Sequence, residues 1–237
     1  MSGDDRNWRD GARQHIAEGR PEQALEVYQD TYVAARAPNS TTATSTAMCL
    51  SDWAGFARTY PPAAEALRRL RWAAVQRLRG TQGEPSSGLA ALDDFTEVAA
   101  ISTRLDEPDY PVELFEDLDA NYPAVAEDCA TQARRLLVRA GRIELARRYL
   151  GDPTEVVERM ATVFGQRLTR GFGHVPEGLR QTMRARAVND YLSGIREVLA
   201  MLEGVGEHEL ADQVRRQAVD AVPWAHVRED VEALLAG

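Results

Sequence analysis

The residues best suited to chemistry lie in one stretch, 105–133, which holds nine acidic residues and no arginine. Tyr110, Phe115 and Tyr122 are interleaved among the acids. Carboxylates steer a cationic protein towards a surface, and aromatic rings anchor it by burial. We therefore predict a surface for a basic protein or peptide, and its expected residues are Asp109, Glu113, Phe115, Glu116, Asp117, Asp119 and Tyr122. The alternative is that these charges complement helix N-termini or are solvated.

Part of the same stretch resembles a calcium-binding loop without completing it. Asp117, Asp119, Asn121 and Asp128 have the spacing of the first, third, fifth and twelfth loop positions. The glycine that the loop requires for its sharp turn is replaced by Tyr122, which cannot readily adopt the glycine conformation. The sequence therefore predicts no calcium site.

Candidates for catalysis are also incomplete. The segment 208–212 begins like a zinc-protease helix, but Asp212 stands where the second histidine belongs and no third ligand is evident. Cys49 and Cys129 have no neighbouring histidine in sequence, and Cys129 lies on an apolar stripe. We predict no catalytic residue, no metal and no cofactor, and we keep a metal- or thiol-dependent hydrolase as an alternative function.

Composition excludes several further classes. All 28 basic residues counted as Lys+Arg are arginine, so the chain has no lysine for a P-loop or a Schiff base. A net charge of −9 disfavours a phosphate backbone, which predicts no nucleic-acid partner. No secretory leader or apolar run of about 18 residues is present. These features predict a cytoplasmic protein with free thiols and no membrane contact, and they leave the oligomeric state open.

The elements that must position these residues are predicted to be helices. Apolar residues recur at helical spacing along the chain, most clearly over 188–202, and no stretch alternates with the period of a strand. We predict an all-α fold, a single domain over 1–237 with an irregular array of about twelve antiparallel helices and a possible subdivision near 81–88. The approximate spans are 6–18, 22–36, 44–59, 62–80, 89–104, 111–120, 123–140, 142–150, 154–170, 177–203, 207–221 and 224–236.

Arginines are concentrated in three segments, 68–79, 134–148 and 180–186. Most lie in the later turns of predicted helices or just after them. Favourable interaction with the negative end of the helix dipole and pairing with acids four residues away account for many of these positions. The sequence therefore predicts a role in helix stability for many of these arginines, with local nucleic-acid binding as an alternative that the overall negative charge disfavours.

A repeated helical hairpin is the remaining pattern. Trp8, Gly11, Ala12, His15, Gly19, Ala24 and Tyr28 have the spacing of a tetratricopeptide hairpin. The spacing recurs in part at Gly141, Ala146 and Leu150, and again at Leu199, Leu202, Gly206, Ala211, Ala218 and Pro223. The chain thus resembles the tetratricopeptide-like helical superfamily over 4–37 and more weakly over 130–150 and 195–223.

The resemblance implies a non-catalytic protein-binding module of the adaptor or scaffold type, because stacked hairpins leave a concave face open to a peptide. A plain helical bundle is the alternative architecture. An immunity-type or chaperone-like protein that covers a basic partner with its acidic 105–128 stretch is the alternative function.

Overall fold

The structure is a computed structural model that describes residues 3–37, 46–81, 83–170, 177–222, 228 and 232. Eleven helices and no strand occur in these ranges, which confirms the all-α prediction. Of the predicted twelfth helix at 224–236, only residues 228 and 232 are described, both of them helical, and the rest of the span lies outside the described residues. No helix within the described ranges has the length and apolar character needed to cross a membrane.

The chain divides into two compact units, residues 1–129 and 130–237. The first holds α1 (Gly3–Ala17), α2 (Pro21–Arg36), α3 (Thr46–Ala57), α4 (Pro61–Arg79), α5 (Gly88–Arg104), α6 (Tyr110–Asn121) and the start of α7 (Pro123–Arg139). The second holds the rest of α7, α8 (Ile143–Arg148), α9 (Pro153–Arg170), α10 (Glu177–Gly204) and α11 (His208–Asp220). The loop at 81–88 lies inside unit 1, and a single domain over 1–237 stays a prediction.

The helix starts are determined by residues next to them in the chain, which is why the observed starts lie close to the predicted ones. Proline occupies the first helical position of α2, α4, α7 and α9, where its missing N–H would have no partner anyway. Asp152 precedes α9, and its Oδ1 accepts hydrogen bonds from the Thr154 backbone N–H at 2.8 Å and from the Thr154 hydroxyl at 2.6 Å.

One turn geometry recurs three times. Gly19, Gly141 and Gly206 have φ values of 72°, 72° and 80°, a left-handed conformation that favours glycine. In each turn the N–H of the next residue bonds the carbonyl five residues earlier at 2.8 Å. Each glycine is followed five residues later by a buried alanine, in order Ala24, Ala146 and Ala211. The residues that suggested a hairpin repeat therefore share one local structure.

The core of unit 1 begins with aromatic packing between α1, α2 and α3. Trp8 meets the edge of Tyr28 with ring centroids 5.9 Å apart, and Tyr28 stacks on Trp53 and Phe56. Ala12 and Ala24 are fully buried. Small residues at both positions let α1 and α2 approach closely, as the hairpin pattern predicts.

The core of unit 2 is formed by α9, α10 and α11, which pack on one another. Phe164 and Tyr191 stack with ring centroids 4.7 Å apart, and the Tyr191 hydroxyl donates a hydrogen bond to the Ala218 carbonyl at 2.8 Å. Helix α8 packs on α10, where a Cβ on Gly204 would lie only 2.6 Å from Ile143 Cγ2. Glycine at that position permits the close contact.

Candidate binding site

The acidic stretch of unit 1 contains a core residue where a partner contact was predicted. Phe115 is fully buried, and its ring meets the edge of Phe95 with centroids 6.0 Å apart. The prediction that Phe115 anchors a partner is therefore wrong, because the ring faces the interior. Its position fits the apolar pattern of α6, which buries Leu114 and Leu118 on the same side.

Arginines of α4 neutralise part of the acidic stretch. Arg79 Nη2 lies 2.7 Å from Asp117 Oδ2, and Arg71 Nη1 lies 2.6 Å from Glu107 Oε2. Burial alone would raise the pKa of Glu107, but hydrogen bonds from Arg71 and Arg68 hold it below its usual range. The charge segregation visible along the sequence is thus compensated in space.

Five other predicted contact residues are at least partly exposed. Asp109 and Glu113 are exposed, while Glu116, Asp119 and Tyr122 are half-buried. Asp128, the last position of the calcium-like motif, accepts a hydrogen bond from the Gly88 backbone N–H. Within the described part of the chain, no group of three or more His, Cys, Asp or Glu side chains is arranged to hold a metal ion.

Two acids of α5, Asp94 and Glu97, form a fully partnered buried cluster that we call the α5 acid pair. Arg77 Nη2 lies 2.7 Å from Asp94 Oδ1 and 2.9 Å from Glu97 Oε2. Arg36 pairs with both acids. Burial alone would raise the pKa of Asp94, yet hydrogen bonds from Arg77, Ser86 and Arg36 keep it below the usual range. The Tyr32 hydroxyl also donates to Glu97 Oε1 at 2.7 Å.

Both cysteine thiols are buried donors. Cys49 Sγ donates to the Tyr28 carbonyl and Cys129 Sγ to the Ala91 carbonyl, each at 3.5 Å. Burial raises the pKa of each thiol to about 12. Since the thiolate is the nucleophilic form, this environment opposes thiol catalysis at neutral pH.

Unit 2 contains a groove of about 750 Å³ between α7, α9 and α10, which we call the arginine groove. Its apolar lining includes Val156, Met160, Val163 and Phe164. Its charged lining consists of Arg134, Arg135, Arg159, Arg167, Asp190 and Glu197. Four cations against two anions give the lining an excess of positive charge.

The four arginines of the arginine groove differ in their partners. Arg167 pairs with Asp190 at 3.0 Å, and Arg159 pairs with Glu155 at 3.5 Å; all four side chains are more than half exposed. Among the residues that the structure describes, Arg134 and Arg135 form no ion pair or hydrogen bond. The Arg134 Nε is buried and lacks a hydrogen-bond partner. A buried donor without a partner costs free energy, because the hydrogen bond that it makes with water in the unfolded chain is lost.

Burial shifts the pKa of one cation and of one anion in the arginine groove. It lowers the pKa of Arg134, while attraction to Glu197 opposes the change. It raises the pKa of Glu197, against the attraction of Arg134, Arg135 and Arg139. Both shifts show that a charged side chain here is less well solvated than in water.

The sequence did not reveal the arginine groove. Arg134 and Arg135 belong to a segment of arginines that helix-end electrostatics explained adequately, and their common cavity with α9 and α10 depends on tertiary packing. One indication was present in the hairpin spacing. Arg134 lies seven residues before Gly141, as the buried Ala12 lies before Gly19 and the buried Leu199 before Gly206.

Comparison of the chain with models of protein families, with curated proteins and with solved structures finds no match.

Proposed function

We propose that the protein is a non-catalytic binding protein built from helical hairpins, of the tetratricopeptide-like kind, and that it holds an acidic segment of a partner protein in the arginine groove. The observation that carries this proposal is a groove whose lining combines four arginines with apolar side chains, and two of these arginines have no partner within the described chain. A volume of about 750 Å³ is in the range of established ligand sites.

The repeated turn supports the hairpin part of the proposal. Three helix pairs are joined through a left-handed glycine, and each second helix buries an alanine at the same distance from it. Hairpin arrays generally present an extended face to a peptide, since each hairpin contacts only its neighbours. An irregular, tetratricopeptide-like array of these hairpins is the architecture that we propose together with this function.

The groove chemistry favours a polypeptide over a nucleic acid. Single-stranded nucleic acids bind through bases that stack on aromatic faces. Here Phe164 and Tyr191 stack on each other and are 3% and 4% exposed, so neither offers a free face. An acidic segment with large apolar side chains would satisfy both the arginines and the apolar base.

The binding face extends towards the start of α10. Residues three and four apart lie on one side of a helix, so Met183 continues the side that Ala187 and Asp190 present to the groove. Met183 is 40% exposed and Leu179 is 54% exposed. Exposed apolar side chains beside a cationic groove suit the apolar residues of an acidic partner.

The alternative functions have weaker support. A surface for a basic partner is less well supported, because Phe115 is buried in the core. In addition, arginines of α4 form ion pairs with Asp117 and Glu107 and neutralise much of their charge. A thiol hydrolase would need a reactive cysteine, whereas both thiols are buried. Two free cysteines fit a reducing compartment, and we keep the cytoplasm as the proposed location.

Fluorescence anisotropy with the full chain tests the proposal. The probe is a labelled, C-terminally amidated peptide in which glutamates alternate with leucine and phenylalanine. The controls are the peptide with lysine in place of glutamate and a single-stranded oligonucleotide. We expect saturable binding of the acidic peptide alone, weakened about tenfold or more by the double variant Arg134→Gln/Arg135→Gln. Absence of binding, or tighter binding of either control probe, would overturn the proposal.

A further inference from the structure

We propose that Arg134 forms a subsite for one side-chain carboxylate of the bound segment, and that Glu197 is the internal carboxylate with which this ligand group competes. The inference rests on the proposed function, since it assigns residues within the same groove. It makes Arg134 the specificity-determining residue and makes Glu197 a restraint on affinity.

The position of Arg134 in its hairpin is the first argument. Seven residues before the turn glycine, the other two hairpins have the buried apolar residues Ala12 and Leu199. Arginine at the corresponding place in α7 introduces a cation where packing would favour an apolar side chain. Departures from a local packing rule of this kind concentrate at functional sites.

The hydrogen-bonding state of Arg134 is the second argument. The guanidinium has five N–H donors in a planar fork that matches a carboxylate. Its Nε is buried without a partner, and no described residue forms an ion pair with it. Contrast Arg77 of unit 1, whose guanidinium bonds both carboxylates of the α5 acid pair. Arg134 therefore retains the donors that a ligand carboxylate requires.

Glu197 supplies the third argument. It lines the same groove as Arg134, and the two charges attract each other without forming an ion pair. A ligand carboxylate at Arg134 would meet the Glu197 carboxylate as a neighbouring like charge. The chain thus keeps a weak internal counter-charge that a stronger anionic ligand can replace.

The chemistry of the lining specifies the ligand further. Val156, Met160 and Val163 lie beside the charged residues, so the anion must be attached to something apolar. A glutamate or aspartate flanked by leucine or phenylalanine meets this condition, whereas a free inorganic anion leaves the apolar lining uncovered. The overall charge of −9 also disfavours a polyanion of high charge density.

The test uses the amidated acidic peptide with three single variants of the full chain. We expect Arg134→Gln to weaken binding about tenfold and Glu197→Gln to strengthen it about fivefold, because the second substitution removes the competing carboxylate without changing side-chain shape. Arg216→Gln is the matched control, since Arg216 is an exposed arginine of unit 2 outside the groove. It should leave affinity within about twofold.

Two further measurements keep a folding defect apart from a binding effect. Thermal unfolding should show that all three variants fold. In a double-mutant cycle, the gain from Glu197→Gln should shrink in the Arg134→Gln background, because the contested cation is then absent.

The failures are distinguishable. If the wild-type chain does not bind the peptide, the proposed function fails. If it binds and the double variant Arg134→Gln/Arg135→Gln weakens binding, but the single variants Arg134→Gln and Glu197→Gln leave affinity unchanged, the function stands and the Arg134 subsite is overturned. If Arg216→Gln weakens binding as much as Arg134→Gln, general electrostatic attraction replaces the subsite.

Discussion

Each unit contains a buried cluster of arginine and acidic side chains. The side chains are hydrogen-bonded to one another in the first unit and are not in the second. In unit 1, the α5 acid pair is surrounded by Arg36, Arg77, Tyr32 and Ser86, and burial is outweighed by hydrogen bonds at Asp94. In unit 2, Arg134 and Glu197 attract each other without a hydrogen bond, and burial dominates both. A buried cluster whose polar groups are all hydrogen-bonded stabilises a fold. A buried cluster with unpaired donors is less stable, and a ligand that pairs with those donors recovers the lost hydrogen-bond energy.

The largest expected difference concerns the removal of one arginine from each cluster. Arg77→Met should lower the free energy of unfolding by about 3 kcal/mol, because it leaves two buried carboxylates with a single guanidinium. Arg134→Met should change it by less than about 1 kcal/mol, since methionine keeps the apolar stem and removes a donor that has no partner. Chemical denaturation of both variants measures this. Equal losses would remove the distinction between the two clusters.

The contributions of Asp94 and Glu197 to the free energy of unfolding should change with pH in opposite directions. Asp94 has a pKa below its ordinary 3.8 in the folded chain, so its stabilisation is present above 3.8 and is lost as the pH falls through the folded value. Glu197 has a pKa above its ordinary 4.5, so its contribution is present below 4.5 and is lost as the pH rises through the folded value.

Denaturation between pH 3 and pH 7 of Asp94→Asn and Glu197→Gln tests this contrast. Asp94→Asn should reduce the loss of stability on acidification relative to the wild-type chain. Glu197→Gln should reduce the loss of stability on moving from acidic to neutral pH. The prediction is contradicted if the two variants change the pH profile in the same direction.

A steric substitution at the arginine groove should give the smallest effect. A Cβ on Gly194 would lie 3.0 Å from the Met160 sulfur and 3.2 Å from its methyl carbon, both at the flexible end of that side chain. Gly194→Ala should therefore move Met160 and weaken peptide binding about threefold, with a change in stability below about 0.5 kcal/mol. Titration calorimetry of the variant, with Gly178→Ala as a control on the same helix, measures the effect.

Helices and turns were predictable because their determinants are local. Proline at the first position of α4 and α9, and left-handed glycines such as Gly141, define where helices begin and end within a few residues of the chain. The burial of Ala12 and Ala24 likewise follows from one hairpin. These interactions span fewer than about 15 residues, so the sequence contains them directly.

The charged sites were not predictable because their partners are distant in sequence. Arg79 and Asp117 are 38 residues apart, and Arg36 and Asp94 are 58 apart. The acidic stretch therefore suggested an open anionic surface, and the arginines of α7 suggested only helix-end stabilisation. Packing neutralises part of the first and leaves Arg134 and Arg135 without partners among the described residues, so the candidate site becomes cationic instead of anionic.

The positions of the two cysteines allow opening of the folded chain to be measured without an added label. Both cysteines of the sequence, Cys49 and Cys129, lie in residues 1–129, and none lies in 130–237. Each is buried and hydrogen-bonded, so an alkylating reagent can react only after a local or global opening exposes it. The alkylation rate, followed by mass spectrometry, therefore reports the openings that expose these two residues of the first unit, and amide exchange measures openings of the second unit separately.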